Sequence, residues 1–320
     1  MSPLSNYHLQ IISMYFNTIS DFVSLQMVCK KYKTIMECFH TNPIPLTSTT
    51  IRFFPNVETL NLWFRTDENF GNSFVDSYCD VAINKFINFE DLFASEEYFS
   101  DPKPQNKLIK KKKFYKINIY YEVDYNTFLR YKKSHFVFKS VLYTSTDCQK
   151  YGEEIPENVS IIQEHCFSNN EKITYCEVPR HVLNIRNRAF FICYYLTKVV
   201  LNYGLCSIGD DCFSACYNLE EIEIPESVTY IGNTCFKSDY SLKKMNIPKS
   251  ITKIGNSMFK YCRNLSSITM KNVIEIGNYC FEDCTELSEI VVDNLKVVGI
   301  NCFENCEKLD ITKLINSKIE

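Results

Sequence analysis

The chain has 320 residues, 45% hydrophobic, 14% aromatic and 23% charged, with a formal net charge of −3 at pH 7. That much apolar sequence buries a sizeable core and excludes a disordered chain, and the near-neutral balance predicts neither nucleic acid nor an anionic membrane as a partner. No run of about 18 apolar residues exists, so no membrane insertion is expected.

The opening MSPLSNYHLQIISMYF lacks the basic start and unbroken apolar stretch of a signal peptide, and INSKIE at the other end carries no lipidation or retention signal. A cytoplasmic location is the expectation, with a nuclear location or unconventional export to the cell surface as alternatives.

Residues 1–45 form a first segment with two helical stripes. Leu4, Ile11, Ile12, Tyr15 and Phe16 share one, and Phe22, Leu25, Val28 and Cys29 the other. Ser20 or Asp21 is expected to N-cap the second helix, and Asn42-Pro43-Ile44-Pro45 ends helix formation. The series Leu4…Ile11-Ile12…Tyr15-Phe16…Asp21-Phe22…Leu25…Met27-Val28-Cys29-Lys30-Lys31-Tyr32 resembles an F-box. It departs from that pattern at Leu4-Ser5, where the family has Leu-Pro, and at Tyr32, which stands for the Trp. The resemblance implies docking of a Skp1-like ligase adaptor by Leu4, Ile11, Phe16, Phe22, Leu25 and Val28. Two amphipathic helices ahead of a repeat array equally serve as its end cap.

Residues 46–150 are irregular. Ile51–Phe64 reads as one degenerate repeat, with Val57, Leu60 and Leu62 imitating a strand and Trp63 shielding an end. Asp67–Ser100 has no period and stays unassigned. Asp101–Lys113 is expected as an exposed loop. Its run of four lysines, Lys110 to Lys113, is either a solvated loop or a contact for nuclear import, RNA or acidic lipid. Phe114–Val123 and Phe136–Tyr143 alternate and read as strands.

Residues 151–320 repeat one pattern, I-P-x-x-V-x-x-I-G-x-x-C-F-x-x-C-x-x-L-x-x-I-x-I, which fades after Leu309 into Ile311, Leu314 and Ile315, expected as a C-terminal cap. The anchors of the pattern are Phe167, Phe190, Phe213, Phe236, Phe259, Phe281 and Phe303, spaced by 23, 23, 23, 23, 22 and 22. A period of this length means a solenoid. In Ile208–Pro225, Ile222 and Ile224 alternate with Glu221 and Glu223 as in a half-buried strand, and Pro225 ends it. Gly209, Gly232, Gly255, Gly277 and Gly299 recur where the backbone wants positive φ or a close approach. The C-F-x-x-C stretch is expected as one turn of α- or 3₁₀-helix, with both cysteines facing the same way. Stacking then gives a Phe ladder and two Cys columns.

The run Ile224-Pro225-x-x-Val228-x-x-Ile231-Gly232-x-x-Cys235-Phe236, with its counterpart from Ile247 to Phe259, resembles the BspA-like leucine-rich repeat of bacterial and protist surface antigens. The resemblance implies an α/β repeat fold: a right-handed solenoid with a parallel sheet on one face and a small helical N-terminal cap. It also brings surface adhesion into consideration.

Sixteen cysteines, twelve of them between Cys166 and Cys306, follow the repeat. C-x₃-C without paired histidines does not match a zinc ribbon, so structural columns are expected and no metal or cofactor; disulfides between columns are the alternative if the protein is exported. No nucleophile–base–orienter set, phosphate loop or dinucleotide motif is present, so no enzyme is expected and no catalytic residue is assigned. The outward strand positions are Tyr175/Glu177, Lys198/Val200, Glu221/Glu223, Lys244/Asn246, Ser267/Thr269 and Glu289/Val291. They form either a set of cross-strand ion pairs or a recognition strip. The expected function is protein binding on this face, with a ubiquitin-ligase substrate receptor as the alternative.

Overall fold

A computed structural model describes residues 6–13, 15–28, 32–76 and 111–311. Leu4, Cys29, Cys79 and residues 77–110, with most of the expected basic loop, lie outside them. The chain divides into two units, Met1–Ser140 and Val141–Glu320. The boundary falls ahead of residue 151 because Val141–Tyr143 pairs with the first repeat.

In the first unit, helices α1 (Asn6–Ser13) and α2 (Ile19–Val28) fall in the two stretches read as helical, but Tyr15 and Phe16 lie beyond α1, and Ile11, Ile12, Tyr15 and Val28 are exposed. The cap differs from expectation. Asp21 lies inside the helix and reaches back, its Oδ2 accepting from the N–H groups of Thr18 and Asn17 at 2.9 and 3.0 Å. Those bonds, Thr18 first, hold its carboxyl below the usual range. Phe22 is fully buried and meets Phe16, Phe39 and Phe54 edge to face at 4.9, 5.7 and 5.3 Å.

Strands β1 (Thr59–Leu62), β2 (Lys116–Ile119) and β4 (Phe136–Phe138) pair in parallel, with the two-residue β3 (Val123–Asp124) between β2 and β4 in sequence. Leu60 and Leu62 are buried as read from the sequence, and Trp63 stacks on Tyr120. Asn42, Asn61 and Asn118 form a ladder: Asn42 Nδ2 donates to the Asn61 carbonyl at 3.0 Å, and Asn118 Nδ2 to Asn61 Oδ1 at 2.8 Å. Helix α3 (Tyr125–Tyr131) lies between the two stretches expected as strands, N-capped by Asp124, which accepts from the Thr127 N–H at 2.7 Å.

The second unit opens with β5 (Val141–Tyr143) and α4 (Ser145–Tyr151), which starts on a reciprocal Thr144/Asp147 capping box. The right-handed solenoid follows, turning through parallel connections. Its longer strands are β7 (Tyr175–Val178), β9 (Lys198–Leu201), β11 (Glu221–Glu223), β13 (Lys244–Asn246), β15 (Ser267–Thr269) and β17 (Glu289–Val291). They alternate with two-residue strands from the V-x-x-I-G part: β6 (Ile161–Ile162), β8 (Asn184–Ile185), β10 (Ser207–Ile208), β12 (Tyr230–Ile231), β14 (Lys253–Ile254), β16 (Glu275–Ile276) and β18 (Val297–Val298). Two parallel ladders therefore run along the array, where one sheet was expected.

The Phe ladder is present: Phe167, Phe190, Phe213, Phe236, Phe259, Phe281 and Phe303 stack with centroids 4.8 to 5.7 Å apart and rings within 12° of parallel. Tyr143 tilts against Phe167 at its first end.

The C-F-x-x-C stretch is not the helical turn that its spacing suggested. Two residues per copy, such as Asp211 and Ala215 around Phe213, take the left-handed conformation with φ between 51° and 66°. Each such non-glycine residue costs of order 1–3 kcal/mol. In return, alternate N–H groups point to the next copy: Asp211 to the Asn233 carbonyl at 3.0 Å, Phe213 to Cys235 at 2.9 Å and Ala215 to Lys237 at 2.8 Å. The intervening Ser214 and Cys216 N–H groups close local turns on Asp211 and Phe213. A helix would satisfy all of these donors within one copy and leave the copies unjoined.

The repeated glycines serve close approach and not positive φ. A Cβ on Gly232 would lie 2.4 Å from the Asp210 nitrogen and 2.5 Å from its Oδ1. The reason is a ladder after each glycine that the sequence reading passed over. Asn187, Asp210, Asn233, Asn256 and Asn278 each accept, through Oδ1, the N–H of the equivalent position one copy on, at 2.7 to 2.9 Å.

One junction departs from this order. Strand β11 does not pair with β13, nor β12 with β14. Elsewhere in the second ladder Thr229 N–H reaches Cys206 and Gly232 N–H reaches Ile208, both at 2.9 Å. Among the described residues, no hydrogen bond joins Thr252 N–H to Thr229 or Gly255 N–H to Ile231. A groove of about 250 Å³ lies there, lined by Tyr230, Ile231, Ile251 and Lys253 among others. The turn belt stays closed at the same junction, with Phe236 N–H on the Met258 carbonyl and Thr234 N–H on Asn256.

Two outcomes follow from this packing. Phe213→Ala removes a fully buried ring from the middle of the ladder and should destabilise the solenoid by about 3–5 kcal/mol in denaturant titration. Alkylation of native protein, mapped by mass spectrometry, should modify exposed Cys206 early and the buried Cys212, Cys216, Cys235, Cys262 and Cys280 only after unfolding; native labelling of the column at the Cys206 rate contradicts the packing.

Candidate interaction surface

The six strands hold the twelve expected surface residues in two exposed columns. Tyr175, Lys198 and Glu221 are register partners across β7, β9 and β11, and beside them run Glu177, Val200 and Glu223. Lys244, Ser267 and Glu289 continue the first column across β13, β15 and β17, and Asn246, Thr269 and Val291 the second. Alternation buries the residues between them: Cys176, Val199, Ile222, Met245 and Ile268. Val200, Ser267, Thr269 and Val291 are half-buried, and the others are exposed.

The strip is not continuous. The parting between β11 and β13 divides it into two three-strand plates. On the first, Glu177, Glu221 and Glu223 face a single lysine. Lys198 Nζ sits 2.6 Å from Glu221 Oε2, so the ion-pair reading is realised there. The bond raises the Lys198 pKa and lowers that of Glu221. Tyr175 donates to Glu177 Oε2 at 3.3 Å, and desolvation followed by that carboxylate raises its phenol pKa. The second plate carries Lys244 and Glu289 among Asn, Ser, Thr and Val. The first plate is therefore acidic, and the second is mixed and mostly uncharged.

A second, partly exposed column escaped the sequence reading. The residue four after each Phe anchor gives Tyr194, Tyr217 and Tyr240, stacked at 4.9 and 4.8 Å, with the Arg263 guanidinium 5.4 Å from the Tyr240 ring centre. Laying the copies in register and reading that position would have found it.

The cysteines form inert columns. In the second column, Cys193, Cys216, Cys262, Cys284 and Cys306 donate Sγ–H to the carbonyls of Phe167, Phe190, Phe236, Phe259 and Phe281 at 3.0 to 3.2 Å. Burial pushes the Cys302 thiol up to about 12 and the Cys306 thiol up to about 11, so these are poor nucleophiles. None of the described cysteines forms a disulfide, and among the described residues no group of three or more His, Cys, Asp or Glu could hold a metal ion.

The residues expected to dock an adaptor are scattered in exposure. Ile11 is exposed and Val28 is 78% exposed; Phe16 and Leu25 are half-buried, and Phe22 belongs to the core. Burial of Phe22 against Phe39 and Phe54 takes it out of any docking surface. No helix among the described residues is long and apolar enough to cross a membrane.

Three solved structures are similar in part. A leucine-rich repeat protein from Bacteroides ovatus is 23% identical over 49% of this chain and 64% of its own, with a TM-score of 0.38. A leucine rich cell surface protein from Faecalibacterium prausnitzii is 27% identical over 48% of this chain and 42% of its own, with a TM-score of 0.43. The leucine rich repeat protein of T. pallidum is 23% identical over 50% of this chain and 87% of its own, with a TM-score of 0.40. The chain thus spans less than two thirds of the first two. No curated protein matches it. The model of the BspA type leucine rich repeat region matches residues 143–243 and 206–319, in six copies. With that match over more than half of its length, on the same residues that build the Phe ladder and the two strand ladders, the chain belongs to the BspA type leucine-rich repeat family.

Proposed function

We propose that this chain is a non-catalytic protein-binding module whose contact surface is the strip on β7 to β17. The observation that carries this reading is the first plate, where Glu177, Glu221 and Glu223 stand exposed against one lysine on a rigid sheet. A carboxylate-rich plate favours a partner segment rich in Lys or Arg, and such complementarity governs encounter and register. The residues that make the repeat regular are consumed in building it, which leaves the strand positions free to vary with the partner.

A second reading rests on a different observation. Helices α1 and α2 leave Ile11, Ile12, Val23, Met27 and Val28 exposed, Met27 at 83%. An apolar surface of this kind on paired helices suits a Skp1-like adaptor, and the chain would then be a substrate receptor with the strip holding the substrate. Ile11→Asp with Val28→Asp should abolish binding of a purified adaptor by the full chain while leaving strip contacts intact.

Photo-crosslinkers placed at positions 175, 200 and 269, and at turn position 283 as control, test the first reading. Crosslinks to a bound protein should form from the strip alone. Glu221→Lys with Glu223→Lys should weaken capture by at least tenfold without lowering the thermal midpoint. Unchanged capture, or crosslinking at 283 equal to the strip, rejects the strip as the contact surface.

A further inference from the structure

The second cysteine column has one foreign member. Three residues after Phe236 stands Asp239, where the neighbouring copies have Cys216 and Cys262. Its side chain is fully buried. Oδ1 accepts the Cys216 N–H at 2.9 Å, and Oδ2 has no hydrogen-bond partner among the described residues.

The column shows what that oxygen faces. Cys216 and Cys262, one copy to either side, donate Sγ–H to the carbonyls of Phe190 and Phe236, 26 residues earlier. The same register directs position 239 at the Phe213 carbonyl, which otherwise receives only the local Cys216 N–H. An ionised carboxylate cannot donate to it and would place a lone pair against a carbonyl oxygen. A protonated one repeats what the thiols do.

We propose that Asp239 is held as a neutral carboxylic acid, donating Oδ2–H to the Phe213 carbonyl, and that its proton controls the weakest junction of the solenoid.

Three observations support the assignment. The groups that face Asp239 are Cys216, Cys262, Cys212 and Cys235, all buried thiols, and no cation pairs with it among the described residues. Burial pushes its carboxyl well above the usual range, with the Cys216 N–H as a smaller opposing pull. The third is position: Asp239, bonded back to Cys216, leads directly into β13, the strand that does not pair with β11, and the parting that begins there runs on to the missing bonds between β12 and β14. Across the strand side the copies are still linked by Lys243 with Glu220 at 3.8 Å, the Lys249 N–H on Glu226 Oε2 at 3.0 Å, the Ser241 N–H on the Tyr217 carbonyl at 3.2 Å, Ser250 Oγ on the Val228 carbonyl and the Asn256 N–H on Asn233 Oδ1 at 2.8 Å. A charge at 239 would load the place where, among the described residues of the array, the sheets no longer hold the copies together.

The sign of the effect is fixed by linkage. The unfolded chain loses this proton near the ordinary Asp pKa of about 3.9, while the folded chain keeps it to higher pH, so stability falls as pH rises between the two values.

Asp239→Asn keeps the shape, accepts from Cys216 and donates to Phe213 without titrating; Asp239→Cys restores the column residue. Folding equilibria of wild type and both variants are compared from about pH 4.5 to about pH 8.5, with wild type losing up to about tenfold per pH unit relative to the Asp239→Asn variant. Trypsin cleavage at Lys249 and Lys253 should accelerate with pH in wild type relative to both variants. The wild-type infrared spectrum at neutral pH should show a carboxylic-acid carbonyl band that Asp239→Asn removes. Parallel pH profiles for wild type and variants, or no such band, overturn the proposal. If Asp239→Asn does not fold, Asp239→Cys and the band carry the same decision.

Discussion

A single copy of this repeat cannot satisfy its own backbone. Around each Phe anchor, alternate N–H groups are turned out of the copy by two left-handed residues and must be accepted by the next one. Everything else in the second unit follows from that hand-over. The copies must stack in one register, so the Phe rings fall on one another and each Asn or Asp after the glycine reaches the next backbone. Glycine is needed because that reach brings the previous copy's backbone within 2.4 Å of where a Cβ would be at Gly232. Stability is then a sum over junctions between neighbouring copies, and a weak junction is a local property.

The division of labour is consequently sharp. Phe, the paired Cys, Gly and the residue after it are fixed by stacking and have no spare capacity for chemistry. The thiols illustrate this: they are numerous but buried, engaged with carbonyls and hard to ionise. What is left to distinguish one family member from another is the pair of outward positions on each strand, and here they separate into an acidic plate and a nearly uncharged one. The parting between β11 and β13 falls on that same division, so the structural seam and the chemical boundary coincide.

Much of this was legible in the sequence, for a physical reason. A fixed period with Phe167 to Phe303 as anchors leaves little choice but a solenoid, and period-2 alternation at Ile222 and Ile224 assigns inside from outside directly. The turn was misread because two Cys four apart around a Phe fit a helical turn equally well by spacing; only the left-handed residues, which carry no consistent side-chain signature (Asp211, Ala215, Thr234, Ile192), distinguish the two. The Asn ladder and the Tyr column were visible in register but were hidden by attention to the more regular Cys. Helix α4 was signalled by Thr144 and Asp147 at capping-box spacing. Asp239 was the hardest to see: a single Asp among many surface acids acquires meaning only when its position is aligned with a column of thiols.

Residue-resolved amide hydrogen exchange tests the central claim most directly, namely that the copies are joined through their turn belt and loosened at one junction. The account predicts strong protection at Phe190, Phe213 and Phe236, whose N–H groups cross to the next copy, and rapid exchange at Thr252 and Gly255, whose partners are missing. Rapid exchange at the Phe amides, or protection at Thr252 and Gly255 equal to that at Thr229 and Gly232, would contradict it.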